Sequence, residues 1–379
     1  MMTPSIAATC FVAIDLSKSK WLVALDAPQL AKIKSVRLDG FDTAGLIDLV
    51  RATVAEASEL CGPDQRPIVC FETGYDGFWL HRLLSNEGIE TLVLDPTSFL
   101  VNRRARRVKT DRVDAEGMVV LLKNYCSGDR KAFRTVRVPT VAEEDAKRFH
   151  RERKRLMSER TGHINRIRAL LALQGVRHIN PAMVTWRKKL DGLETADGRP
   201  FPDQLMREIV RSFERLELTN KMIKALAEER DEALATESER FPEHEKAVLL
   251  EGLRGVGRHS AMLLSAEVFG REFKNRRHLS SYLGLTPSPY SSGDVERSQG
   301  ISKAGNRPAR TLGIELAWCW LRYQPQSALA RWFRKYTAER PGVRKKVAIV
   351  ALARKLIVAL WRYVETGLVP SGAVLKAEV

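Results

Sequence analysis

The stretch CFVAIDLSKSKWLVAL, Cys10 to Leu25, decides the fold of the first part of the chain. Phe11 to Ile14 are apolar and lead into Asp15. A polar turn follows, and then a second apolar run. This is the pattern of a β-hairpin with an acid at the end of its first strand. Working outward, Gly40 to Glu59 carries Leu46, Leu49, Val50 and Val54 at helical spacing. Pro67 to Glu72 (PIVCFE) reads as a short buried strand that ends in an acid. His81 to Asn86 reads as helix, and Glu90 to Leu94 (ETLVL) as a third buried strand closed by Asp95-Pro96. Strands alternating with helices predict an α/β sheet. Asp15 and Glu72 then stand where buried strands stop, the edge at which such sheets build sites.

Beyond the third strand the chain reads RRARRVKTDRVDAE, Arg103 to Glu116. Arg103, Arg104, Arg106, Arg107 and Lys109 run straight into Asp111 and Asp114. Two acids three residues apart share a helix face. The cations would grip phosphates, and the acids would hold a metal ion that works on them. Taken alone, the same residues also fit a solvated helix start with ordinary ion pairs.

The chain has 379 residues, enough for two or three domains with real cores. Its formal net charge of +17 predicts a polyanionic partner, nucleic acid first and a membrane surface second. It holds no apolar run of about 18 residues, so no membrane partner through a spanning helix is expected. The N-terminus MMTPSIAATCFVAID lacks the features of a signal peptide. Cys10, Cys61, Cys70, Cys126 and Cys319 show no ligand spacing. They read as reduced, mostly buried thiols of a cytoplasmic protein, and no zinc site is expected.

Ala142 to Gly175 is a long helical pattern crowded with Lys and Arg; Asp191 to Pro202 breaks it, and helix resumes from Asp203 to about Arg240. The two helices fit an antiparallel hairpin or an intermolecular coiled coil, as linker and dimerisation arm or with the basic helix along nucleic acid. Ala247 to Phe269 has a helix-hairpin-helix pattern around Gly255 and Gly257, whose turn can hold a phosphate. Tyr282 to Arg310, rich in Ser, Gly and Pro, reads as a loop ending in a basic helix start with Lys303, Arg307 and Arg310. Leu312 to Thr366 is helical and basic. Trp318, Trp320, Tyr323, Trp332, Phe333 and Tyr336 are expected mostly in the core. Arg344, Lys345, Lys346, Arg354 and Lys355 are expected to face phosphates. The domain boundaries predicted are 8–140 for the α/β domain, 141–242 for the helical arm and 243–368 for a mainly α domain.

Four acids thus stand out, and oxygen-only ligands suit a hard cation such as Mg²⁺. The segments AID, CFETG and KTDRVDA resemble the Asp-Glu-Asp-Asp signature of bacterial transposases of the insertion-sequence one-ten family. GLRGVGRHSA, then YLGLTPSPYSSG and SKAGN, are similar to that family's second domain and fall in its order. The resemblance covers essentially the whole chain. It implies an RNase H-like (RuvC-like) first domain with Asp15, Glu72, Asp111 and Asp114 as catalytic metal ligands for Mg²⁺. It also implies a DNA recombinase with a serine nucleophile, guided by an element-encoded bridge RNA. Ser292 matches that serine in the TP-x₄-SG spacing, with Ser291 adjacent; Ser298 and Ser302 fall outside it. Homodimers pairing into a tetrameric synapse are implied, with the site in cis or in trans, on DNA in the bacterial cytoplasm and nucleoid. The rival readings are a metal-dependent junction-resolving nuclease that uses water, and a non-catalytic nucleic-acid scaffold.

Overall fold

Phe11 to Ile14 are all buried, because the sheet they belong to is covered on both faces. In the computed structural model the described residues are 8–74, 77–98, 111–183, 185–235, 243–292, 295–340, 342 and 345–376. At 97, 111, 187, 234, 291–292 and 295–298 the backbone alone is described. The basic run Arg103, Arg104, Arg106, Arg107 and Lys109 lies outside these residues, as does Arg344. The chain divides into two compact units, Met1–Pro139 and Thr140–Val379.

The first unit is a five-stranded mixed sheet. β1 (Thr9–Leu16) and β2 (Lys20–Asp26) form the expected hairpin, and β3 (Lys34–Asp39) extends it antiparallel. After α1 (Thr43–Cys61), β4 (Arg66–Glu72) pairs parallel to β1. After α2 (Trp79–Asn86), β5 (Glu90–Leu94) pairs parallel to β4. The strand order is β3-β2-β1-β4-β5. Alternation sorts the side chains into two cores. Phe11, Ala13, Ile68 and Cys70 pack under Ala115, Met118, Val119 and Leu122 of α3 (Asp111–Cys126). Val12, Ile14, Val69 and Phe71 pack with Leu46 and Val50 of α1 and Leu80 and Leu84 of α2 on the other face. β3 is absent from the sequence reading because it is a solvated edge: Lys34, Arg37 and Asp39 are exposed, the usual protection of a free strand. The opposite edge is covered, with Val136 N donating to Val93 O (2.8 Å) and Asp95 N to Arg134 O (2.9 Å). This mixed α/β arrangement is compatible with an RNase H-like fold.

The second unit is helical. The long helix expected from Ala142 is divided. A capping box of Thr140 and Glu143 starts α4 (Val141–Asp145), and α5 (Arg148–Ala172) follows after a break. α6 (Trp186–Leu190) lies between α5 and α7 (Asp203–Ala235). α5 and α7 run antiparallel, since Arg160 bonds Asn220 (2.9 Å) while the later Arg166 pairs with the earlier Glu208. Ile167, Leu170, Leu171, Ile209, Phe213 and Leu216 fill their seam, with Trp186 stacked on Phe213 at 3.8 Å.

α8 (His244–Glu251) and α9 (Arg258–Leu264), the latter continued by a wider π-helical turn (Ser265–Phe269), flank the Gly255–Gly257 turn. α10 (Arg276–Tyr282) precedes the largest departure from the sequence reading. The segment expected as a loop is an antiparallel ribbon, β6 (Pro287–Ser292) and β7 (Val295–Ile301). Serine and proline composition read as loop, yet a two-stranded ribbon tolerates Pro287 and Pro289 because both its strands are edges. α11 (Arg307–Tyr323), α12 (Ala328–Ala338) and α13 (Lys345–Thr366) complete the unit. Trp320 is core, but Trp318 and Tyr323 are exposed, and Trp332, Phe333 and Tyr336 are half-buried, which corrects the expectation that these aromatics are mostly interior. Among the described residues no helix is long and apolar enough to cross a membrane.

Candidate functional site

Ile14 pairs with Phe71 in the parallel register of β1 and β4, so Asp15 and Glu72 follow at the same level on neighbouring strands. Neighbouring strands lie about 4.8 Å apart. Asp15 continues the row Phe11, Ala13, and Glu72 continues the row Ile68, Cys70. Both carboxylates therefore belong to the face covered by α3.

Three contacts fix the direction of α3. Lys123 Nζ reaches Asp26 Oδ2 (2.9 Å), and Asp26 pairs with Phe11 near the start of β1. Cys70 Sγ lies 4.0 Å from Met118 O, and Ser35 Oγ donates to Glu116 Oε1 at 3.1 Å. α3 thus runs against β1 and β4, and its first turn lies toward their carboxyl ends. Asp114 is four residues before Met118, about 6 Å along a helix. Glu72 is two residues past Cys70, about 7 Å along a strand. The two reach one level, and Asp111 begins the helix a turn further on. Met118, Ala115 and Asp114 lie on one stripe of α3, so exposed Asp114 continues the buried seam into solvent.

Asp15 is half-buried, while Glu72 and Asp114 are exposed, so the edge is open to a large substrate. Carboxylate oxygens are hard donors and fit a divalent cation. Among the described residues no group of three or more His, Cys, Asp and Glu side chains converges within reach of one ion, and the Asp111 side chain falls outside that set. Glu116, in the same acidic stretch, is engaged otherwise. Its hydrogen bond with Arg112 (2.7 Å) holds its carboxyl below the usual range while Ser35 ties it to β3.

The remaining predicted residues fall in the second unit. Ser292 is the last residue of β6 and pairs with Val295, with Gly293-Asp294 between them. That Gly-Asp pair between two runs is a hairpin signal that the composition of the segment masked. The base of the ribbon is a close crossing. Lys303 N donates to Gly284 O (3.1 Å) and Asn306 N to Tyr282 O (2.9 Å). A Cβ on Gly284 would stand 1.9 Å from Ala304 O, and one on Gly305 2.1 Å from Tyr282 O; both glycines also have positive φ. Lys303 is exposed at φ 57, and Arg307 is exposed at the start of α11. Arg310 is half-buried, its Nη1 donating to Leu283 O (3.1 Å) and Ala304 O (3.3 Å), so it clamps the crossing.

Sequence reasoning missed three residues below that crossing. Asn306 caps α11, accepting from Ala309 N at 3.0 Å, and donates through Nδ2 to Glu267 Oε2 (2.9 Å) and Tyr282 OH (3.2 Å). Tyr282 OH donates to Glu267 O (3.0 Å), and Arg271 lies over the Tyr282 ring at 4.5 Å. Asn306 ahead of Arg307-Pro308 was a legible helix start. Nothing in sequence marks Glu267 as a buried partner.

In the helix-hairpin turn, Gly255 has φ 90 and its Cβ would meet Tyr323 Cβ at 2.9 Å, while Gly257 is exposed with nothing within 4 Å. The Arg254 carbonyl accepts from Gln324 Nε2 (2.7 Å), and Val256 O from Lys376 Nζ (3.0 Å).

A carboxylate edge on an α/β sheet, followed by a basic helical unit, defines a class that comparison with known proteins makes specific: the chain is a transposase. The DEDD-type transposase model of the IS110 group matches residues 12–174, and the model described as Transposase IS116/IS110/IS902 family matches residues 247–332. The chain is 43% identical over 373 residues to the putative transposase y4rJ of Sinorhizobium fredii, covering 97% of this chain and 94% of that protein. It is 29% identical over 294 residues to the transposase for insertion sequence element IS1111A of Coxiella burnetii, covering 74% and 73% of the two chains. The protein belongs to the IS110 (insertion sequence one-ten) transposase family.

Proposed function

We propose that this transposase cuts and rejoins DNA through a covalent phosphoserine link at Ser292. In this reading Asp15, Glu72, Asp111 and Asp114 hold Mg²⁺, and an element-encoded bridge RNA selects the sites. The observation that carries the reading is the shared level of Asp15, Glu72 and Asp114 at one carboxyl edge of the sheet. A cation bound there would lower the pKa of a hydroxyl and neutralise the attacked phosphate. The Ser292 oxygen bonds to phosphorus and gives up its proton to a neighbouring base. One P–O bond to a deoxyribose breaks, and the departing sugar oxygen takes up a proton. Attack by a hydroxyl from a different strand reverses the step and frees the serine.

The ribbon and the carboxylate edge belong to different units, and the family resemblance favours Ser292 and the acids acting together, in cis or between protomers of a dimer that pairs into a tetramer. Exposed Leu218 and Met222, one turn apart on α7, support a role for this arm in joining two copies. The Gly255–Gly257 turn, Lys303 and Arg307 are assigned to phosphate contacts with RNA or DNA in the bacterial cytoplasm.

The test is a denaturing gel of protein with labelled insertion-sequence ends and Mg²⁺. Wild type should leave a protein–DNA adduct, and Ser292→Ala should abolish it while Ser291→Ala does not. Full cleavage by Ser292→Ala with no adduct at any stage would instead make the protein a junction-resolving nuclease that uses water. Sequencing of co-purified nucleic acid tests the guide: one structured RNA from the flank of the gene is expected, and random fragments would count against it.

A further inference from the structure

Trp21 pairs with Leu16 on one side and Leu38 on the other, which places it at the carboxylate end of the sheet. Its side chain lies on the face of α1 and α2, opposite Asp15 and Glu72. There it meets two more rings. Phe41 stacks on Trp79 at 5.9 Å and 16°, and Trp21 lies 6.1 Å from each. Trp79 opens α2, seven residues after Glu72. Trp21 is fully buried beneath the pair, whereas Phe41 is 56% exposed.

Phe41 is also held in an unfavourable backbone conformation, φ 67, which a bulky residue enters only when its surroundings impose it. Both flanks do so. Gly40 N donates to Ser19 O (2.9 Å), and a Cβ at Gly40 would lie 2.5 Å from Lys18 O. Asp42 caps α1, accepting from Gly45 N at 2.9 Å. The result is an aromatic ring held out in solvent at the border of the carboxylate edge, beside exposed Lys18 and Lys20. The rings and the acids thus leave opposite faces of the same end of the sheet, one sheet thickness apart.

We propose that Phe41 and Trp79 form a stacking platform for an unpaired base of the DNA strand whose phosphate is held at Asp15 and Glu72. The inference rests on the carboxylate edge being the phosphate site. Stacking on an aromatic is tolerant of sequence, because every base offers a π face, which suits a protein whose site choice lies elsewhere. It would also hold a strand splayed open next to the phosphate being cut.

The test uses the full-length protein and a single-stranded DNA oligonucleotide carrying 2-aminopurine, whose fluorescence falls on stacking. Duplex DNA and an RNA strand of the same sequence serve as comparison probes. Wild type should quench the single-stranded DNA probe and not the duplex. Phe41→Gly suits the backbone at φ 67, so its thermal midpoint should not fall. It should nevertheless lose most of the quench and weaken single-strand binding about 5- to 100-fold. Phe41→Tyr should retain both. A quench that survives Phe41→Gly, or a midpoint that drops in that variant with binding unchanged, would make the ring a plain surface lid and overturn the platform. A stronger quench with the RNA strand would overturn its assignment to DNA. Asp15→Asn separates the two readings: continued DNA joining in that variant sinks the carboxylate site, whereas the quench reports on the rings alone.

Discussion

Asn306 donates its side-chain amide to the Glu267 carboxylate at 2.9 Å while its own carbonyl oxygen caps α11. One residue therefore ties the π-helical turn after α9 to the helix that follows the serine ribbon. Glu267 is only 9% exposed, and Tyr282 closes the triangle from α10. The ribbon is thus mounted on a buried polar junction, with its two strands entering and leaving through the Gly284–Gly305 crossing.

Removal of the amide should cost more than a cap. Asn306→Ala deletes the cap, worth about 1 kcal/mol, and leaves a buried carboxylate short of a donor, a further 1–3 kcal/mol or so. Asn306→Asp keeps a good cap but sets two carboxylates against each other. The expected result in urea unfolding is that Asn306→Asp is no more stable than Asn306→Ala. Recovery of wild-type stability by aspartate would mean that the Glu267 contact contributes nothing.

The glycines should separate by environment. Gly284→Ala places a Cβ 1.9 Å from a carbonyl oxygen at positive φ, and Gly255→Ala drives one into Tyr323. Each should destabilise by about 2 kcal/mol or more, as backbone strain and overpacking do. Gly257→Ala meets open space and should cost no more than about 1 kcal/mol, the loss of a glycine cap on α9. Equal melting of Gly257→Ala and Gly284→Ala by calorimetry would contradict the crossing described at the ribbon base.

The carboxylates should be needed for chemistry and not for folding. Asp15 and Glu72 end their rows beyond the buried core, so Asp15→Asn and Glu72→Gln should keep the wild-type far-ultraviolet dichroism. Loss of a neighbour of a metal ligand costs 10- to 100-fold, so if these acids hold the ion as proposed, either change should lower strand joining by more than about 100-fold. Stabilisation by added Mg²⁺ in a thermal shift should vanish with it. Normal joining by either variant would leave the edge a structural feature.

How much of this was legible in the sequence follows from what each segment buries. β1, β2, β4 and β5 were readable because their runs are apolar and end in turn residues. β3 was not, since KSVRLD faces solvent at an edge and carries no clear period. The serine ribbon was hidden by its own composition, since its serines and prolines read as loop. Asp15 and Glu72 could be marked as strand ends. That they share a level with Asp114 required the register of β1 on β4 and the direction of α3, neither of which a linear pattern encodes. Glu267 was invisible because an acid inside AMLLSAEVF looks like an exposed helix position until its partner, 39 residues on, is known.

A pH dependence follows from two histidines in the second unit. His150 of α5 and His259 of α9 lie with ring centroids 5.5 Å apart, and Arg153 Nη1 is 3.4 Å from His259 Nε2. Burial, then the neighbouring His259, pushes His150 down to about 3. Burial, then Arg153, pushes His259 down to about 4. Both folded values lie below the ordinary imidazole value near 6.5, so the unfolded chain takes up protons first as pH falls. The stability these neutral rings contribute is complete above pH 6.5 and declines as pH drops toward 4 and then 3, by on the order of a few kcal/mol. The urea midpoint of the second unit, followed from pH 7.5 to 4.5, should fall. His150→Leu replaces the more buried ring with an apolar one and should flatten that slope while leaving the fold intact at pH 7.5. An unchanged slope in the variant would assign the acid sensitivity to carboxylates elsewhere in the chain.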